Sequence, residues 1–163
     1  MLKGYNIYLR TLQKRDILIL YRLFNDENVK LYNTIPNDIQ SGNKSLRKAL
    51  SIINEKNVLV GFITYKESND CKGIYSIGIT IGSMYWGKKY GQDSIRTLIR
   101  YLFGKLDAIR VELEVIKYNL RAVNCYKKCG FVEEGIKRNK VYINGRYVDT
   151  IIMGIGKKEL ADI

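Results

Sequence analysis

The chain contains no histidine, so any chemistry it performs falls to carboxylates, tyrosine, cysteine, lysine or the backbone. That removes Ser-His-Asp and Cys-His nucleophiles, histidine bases and nearly all catalytic zinc sites. The densest candidate stretch is MYWGKKYGQDSI, Met84 to Ile95, where Gly87, Lys88, Lys89 and Gly91 separate an apolar run from a helix-patterned one. Glycines there let successive N–H groups point into one concavity, and a helix starting near Gln92 adds its positive end. Such a cradle suits a pyrophosphate and requires no metal. A nucleotide-hydrolysing P-loop fits less well. Gly82, Gly87 and Lys88 meet G-x-x-x-x-G-K, but Lys89 stands where a magnesium-binding Ser or Thr belongs, and the helix pattern starts too late. A plain glycine-rich turn on a basic surface is the remaining alternative.

The elements that must hold this loop can be read from periodicity. YNIYLRTL alternates as a strand, and KRDILILYRLF follows with Ile17, Leu20, Tyr21 and Phe24 on one helical face and Asp16 in its first turn. Residues 25–45 are polar and broken, a short helix within loops. ALSIIN and VLVGFITYKE flank a hairpin turn at EKN, and GIYSIGITIG is a further strand ending at the loop. Ile95, Leu98, Ile99, Leu102 and Leu106 have the spacing of a helix face packed on a sheet. RVELEVIK is a strand, and NLRAVNCYKKCG a short helix capped by Asn119 and closed by Gly130. KRNKVYINGRYVDTIIMGI is a hairpin turning on Asn144-Gly145. This order predicts one α/β (α+β) domain over residues 1–163, with a mixed, largely antiparallel sheet of about seven strands and flanking helices.

The loop with its long helix, then VELEV, then NLRAVNCYKKCGF, resembles the GNAT superfamily of acetyl-CoA-dependent N-acetyltransferases over nearly the whole chain. The similarity is greatest to the branch of ribosomal-protein N-terminal and spermidine acetyltransferases, partly through VYINGRYVDTIIMGI. Asn119, Tyr126, Gly130 and Phe131 fit the family's second motif. In the loop, Trp86 replaces the usual Gln or Arg, Lys89 replaces the middle glycine, and Gly91 fits.

The resemblance implies that acetyl-CoA, as acetyl donor, lies between the fourth and fifth predicted strands. Its pyrophosphate would rest on the amides of Trp86, Gly87, Lys88, Lys89, Tyr90, Gly91 and Gln92. Its pantetheine arm would pair with the backbone of Ile79, Thr80 and Ile81, with Asn119 on the other side, and Lys128 or Lys88 would meet the outer phosphate. Tyr126 would protonate the leaving thiolate, since tyrosine keeps its proton at neutral pH. A backbone N–H near Ile81 would stabilise the oxyanion. Glu114, five residues before Asn119 and twelve before Tyr126, matches the family's catalytic base. Glu112 shares its strand face, and a water relay is the third option. No metal is called for.

A formal charge of +12 on 163 residues favours polyanionic partners. It repels free polyamines, and it suits an acidic or ribosome-associated protein amino terminus better. Asp26, Glu27 and Asp38 are the carboxylates available for a polyamine, whereas Tyr75 and Ser76 are neutral. Two other readings stand beside the enzyme: a basic nucleic-acid module with tyrosines for base stacking, which leaves Asn119 and Tyr126 unexplained, and a non-catalytic acyl-CoA binder. Cys71, Cys125 and Cys129 are too few and too irregular for a disulfide framework, and Cys125 and Cys129 read as packing residues. With no apolar run near 20 residues and no signal-peptide pattern, the expectation is a cytoplasmic protein away from membranes, with a homodimer as the candidate assembly.

Overall fold

The computed structural model describes residues 1–32 and 48–162. Among these, eight strands form one sheet in the order β1-β2-β3-β4-β5-β6-β8-β7. The strands are β1 (Leu2–Lys3), β2 (Ile7–Thr11), β3 (Lys48–Asn54), β4 (Leu59–Glu67), β5 (Ile74–Ile81), β6 (Arg110–Ile116), β7 (Val132–Ile143) and β8 (Arg146–Gly156). The helices are α1 (Asp16–Phe24), α2 (Glu27–Lys30), α3 (Tyr90–Lys105) and α4 (Leu120–Lys127). The short β1 is the strand beyond the expected seven, and β7 starts at Val132, five residues before the sequence pattern places it.

One pair, β5 with β6, runs parallel, because α3 carries the chain across a sheet face between them. α3 is anchored by burial of Ile95, Leu98, Ile99, Leu102 and Phe103, all at 1% exposure or less. At about 2 kcal/mol each, these side chains contribute on the order of 10 kcal/mol. Asp93 adds a tie to the other end of the sheet, accepting from the N–H groups of Tyr5, Asn6 and Ile7 at 3.0, 2.6 and 3.2 Å. The helix begins at Tyr90, two residues before the sequence suggests, and that shift brings the loop and the helix N-terminus together.

The opposite face carries α1, and here the expected helix face is corrected. Leu20 is buried against Ile53 and Leu59, but Ile17 and Tyr21 are 56% and 67% exposed. The element is held by chemistry its apolar spacing does not show. Buried Asp16 accepts from Arg10 Nη1 and Nη2 at 2.6 and 2.8 Å, the Gln13 N–H at 2.9 Å and Ser51 Oγ at 2.8 Å. These bonds and the guanidinium charge hold its carboxyl far below the usual carboxylate range, against the opposing effect of burial.

Along β5, β6 and β8 the odd-numbered side chains, such as Ile77, Leu113 and Met153, enter the core with α3 and α4. The alternating even-numbered ones, among them Ser76, Glu112, Glu114 and Thr150, therefore look to the α1 face. Tyr75 belongs to the core, so of the two neutral residues expected at the site only Ser76 reaches it.

Candidate active site

β5 and β6 pair only at Ile74–Arg110, Tyr75–Val111 and Ser76–Glu112. Beyond Ser76 they splay apart, and a cleft of about 1000 Å³ opens through the sheet. The direction of the free backbone follows from the ladder with β4. Gly82 donates to Val60 and Ser68 donates to Ile74, so the even-numbered residues of β5 exchange bonds with β4. Past the last parallel pair, Ile79 and Ile81 therefore turn their N–H and C=O groups into the cleft, while those of Thr80 face β4. From the other wall Glu114 turns its N–H and C=O inward and Ile116 its N–H, since Ile109 and Lys117 are the bonded partners of β8 and the Ile116 carbonyl accepts from the Asn119 N–H at 2.9 Å. An extended chain with amides of its own can pair in such a gap as an added strand.

At one end of the cleft lies the loop. Trp86 is extended, Gly87 has φ 77° and Lys89 has φ 63°. Lys89 thus holds the left-handed conformation that a glycine adopts freely. The first intrahelical bond of α3 runs from Asp93 N–H to Lys89 C=O, so the amides of Tyr90, Gly91 and Gln92 have no partner within the helix and point at whatever lies ahead. A Cβ on Gly91 would meet only ordinary contacts, Cys125 Sγ at 3.6 Å and Ile81 Cγ1 at 3.9 Å. Trp86 Nε1 donates to the Ile81 carbonyl at 2.8 Å, and the Arg121 guanidinium stacks 3.4 Å from the centre of its ring. Burial lowers the pKa of Arg121, but the group starts so high that it stays charged. Lys89 and Lys128 line the cleft; Lys88 does not, and lies over the Tyr85 ring at 5.7 Å.

α4 presents Asn119 and Tyr126 to the same cleft. Asn119 caps the helix, its Oδ1 accepting from Ala122 N–H at 3.2 Å, and so turns only its Nδ2 side to a ligand. Gly130 takes φ 88° and returns the chain, letting Phe131 meet the buried Tyr126 edge-on at 5.9 Å. Burial pushes the Tyr126 hydroxyl well above the ordinary tyrosine range. Cys125 lines the cleft beside it, Cys129 is fully buried, and Cys71 is exposed.

On the α1 face, Glu114 accepts from Lys137 Nζ at 2.8 Å and from Thr150 Oγ1 at 2.6 Å. Burial pushes its carboxyl up; the bonds to Lys137 and Thr150 and the charges of Lys137 and Lys140 outweigh that, leaving it below the usual glutamate value. Glu112 also lines the cleft and is paired with Arg110 at 3.2 Å. Phe24, Val29 and Tyr32 form the far wall. Asp26 is committed to Ser83 Oγ and the Asn28 N–H, and Asp38 lies outside the described residues.

The family model of the acetyltransferase (GNAT) family matches residues 17–131. The chain belongs to the GNAT family. It is an acetyl-CoA-dependent N-acetyltransferase, and both the resemblance in the sequence and the expected mixed, mainly antiparallel fold are borne out. A spermidine N(1)-acetyltransferase of Vibrio cholerae is 27% identical over 86% of this chain and 87% of its own. A Bacillus subtilis protein provisionally named a ribosomal N-acetyltransferase is 29% identical over 62% of this chain and 55% of its own. The crystal structure of spermidine N-acetyltransferase from V. cholerae with CoA and spermine superimposes with a TM-score of 0.82, at 25% identity over 96% of this chain and 98% of that one.

The GNAT donor fits the residues present: a strand edge for its amide-bearing arm, three helix amides without an intrahelical partner for its pyrophosphate, and Arg121, Lys89 and Lys128 for negative charge. Arg121, Thr150, Lys137 and Lys140 escaped the sequence reading. Arg121 was findable as the residue two past the Asn119 cap, on the helix turn that meets the loop. The other three depend on strand register, which the local pattern does not fix. Among the described residues no group of three acidic or thiol side chains is placed to hold a metal, and no helix is long and apolar enough to cross a membrane.

Proposed function

We propose that the enzyme passes the acetyl group directly through the opened sheet, with acetyl-CoA held on the α3–α4 side and a primary amine presented from the α1 side. The observation that carries this reading is the single cleft lined from one face by Tyr126 and from the other by Glu114. Acetyl-CoA supplies an activated thioester. The inward N–H groups of Ile79 and Ile81 are the donors for the carbonyl oxygen as it gains charge. Tyr126 gives its proton to the departing thiolate; the burial that raises its own pKa also makes a thiolate beside it more basic, so the two stay matched. Glu114 anchors the incoming ammonium. Its depressed pKa makes it a weak base, so the ammonium's proton leaves to water before attack, with Glu112 on Arg110 as the reserve carboxylate.

The named substrate of the V. cholerae relative makes spermidine and spermine the first acceptors to assay. A protein amino terminus, including that of a ribosomal protein, is the second reading, and Lys137 and Lys140 favour it. An α-amine of pKa about 8 is about a tenth neutral at pH 7, against less than a thousandth of an alkylamine near 10.4. The test is thiol release from acetyl-CoA with a panel of amines. Tyr126→Phe is expected to lower kcat by about 10²-fold or more with acetyl-CoA affinity unchanged by calorimetry. An undiminished kcat would remove Tyr126 from the acid role.

A further inference from the structure

β7 and β8 pair at Lys137–Thr150 and next at Val141–Val148, so Arg138, Asn139 and Lys140 stand opposite Asp149 alone. The bulge is pinned: Asn139 takes φ 51°, and its N–H donates to Asp149 Oδ1 at 3.0 Å. In a regular strand, residues three apart such as Lys137 and Lys140 point to opposite faces. Here both line the cleft, because bulges re-aim side chains. Lys137 is bonded to Glu114, and Lys140 is close enough for its charge to act on the same carboxylate. The second carboxylate of this face, Glu112, is already paired with Arg110.

Among the described residues, the acceptor side thus offers Glu114 as the carboxylate not held by an arginine, with the positive charge of Lys137 and Lys140 next to it. A polyamine places a further ammonium a few bonds beyond its reacting amine, where it would meet Lys140. An amine followed by carboxylates finds counter-charge at the same point. We infer that the β7 bulge makes Lys140, with Lys137, an anion subsite that selects a primary amine followed by carboxylates, as at the amino terminus of an acidic protein segment. This rests on the acetyl-transfer reading above.

The test compares kcat/KM for four acceptors: a peptide with free amino terminus and acidic residues at positions two to four, the same peptide with lysines there, spermidine, and free glutamate. The acidic peptide is expected to lead the lysine peptide and spermidine by roughly tenfold, with the lead shrinking as salt rises. Lys140→Glu is expected to invert that order while leaving acetyl-CoA affinity unchanged. Anisotropy of a labelled acidic peptide on the enzyme saturated with CoA reads the same subsite without turnover, and its binding should weaken in Lys140→Glu. Free glutamate matching the acidic peptide would keep the subsite but replace the protein segment with a small acidic amine. Spermidine equal to or better than the acidic peptide, or an unchanged order in Lys140→Glu, overturns the subsite. Transfer to none of the four, with acetyl-CoA still bound, overturns the subsite, whereas loss of acetyl-CoA binding itself would overturn the acetyl-transfer reading on which it rests.

Discussion

At the donor end of the cleft the framework is main chain, the inward amides of Ile79 and Ile81 and the first turn of α3 behind Lys89, with Arg121, Lys89 and Lys128 adding charge around it. At the acceptor end they are side chains: Glu114, Thr150, Lys137 and Lys140, brought together from three strands by register and one bulge. A main-chain site persists under substitution so long as φ and ψ are kept. A side-chain site changes with each residue. One chain can therefore hold its donor with an atypical loop, Trp86 and Lys89 included, while its acceptor charge pattern is its own.

The largest effect should come from filling the donor site without disturbing the fold. Gly91→Glu places a carboxylate before the unpaired amides, and a loss of acetyl-CoA affinity of about a hundredfold or more is expected. Gly91→Ala separates ligand loss from misfolding: its Cβ makes ordinary contacts at 3.6 and 3.9 Å, so the melting temperature should hold or rise while acetyl-CoA binds more weakly. Undiminished affinity in Gly91→Glu would place the phosphates elsewhere. A smaller effect, confined to the other end, is expected from Asp149→Ala. This change removes the acceptor of the Asn139 N–H that pins the bulge, at 3.0 Å. KM for the preferred amine should rise several-fold, with acetyl-CoA affinity untouched by calorimetry. A matching loss in both would show the two ends to be one coupled unit.

The same contrast explains what the sequence disclosed. Asn144-Gly145 turns with φ 50° and 80°, as a two-residue hairpin requires, and Asn119 caps α4, because such positions depend on neighbouring residues alone. The donor site is similarly local: a strand end, a loop and a helix start within fifteen residues. The acceptor site is not. Glu114 and Lys137 are 23 residues apart and meet only because β8 inserts between β6 and β7. The bulge leaves no turn residue but Asn139 to mark it. The face of α1 is illegible for a related reason: its apolar spacing is helical on more than one side, and buried Asp16, not a stripe of apolar residues, fixes which side faces inward.

The smallest expected effect is also the sharpest test of the contrast. Lys89 holds φ 63° where its family relatives are expected to have glycine, a conformation that costs a non-glycine residue about 1 kcal/mol. If the backbone is what holds the phosphates, Lys89→Gly keeps the loop's shape, relieves that cost and forfeits only one exposed charge. Part of the relief is offset by the greater freedom of glycine in the unfolded chain. Stability should then stay level or rise by less than about 1 kcal/mol, and acetyl-CoA affinity should fall by no more than about fivefold. Thermal melting and calorimetric titration of one variant read both. A loss far beyond fivefold with stability intact would mean that the ammonium, not the amides, carries the phosphate. The donor end would then be built from side chains, as the acceptor end is.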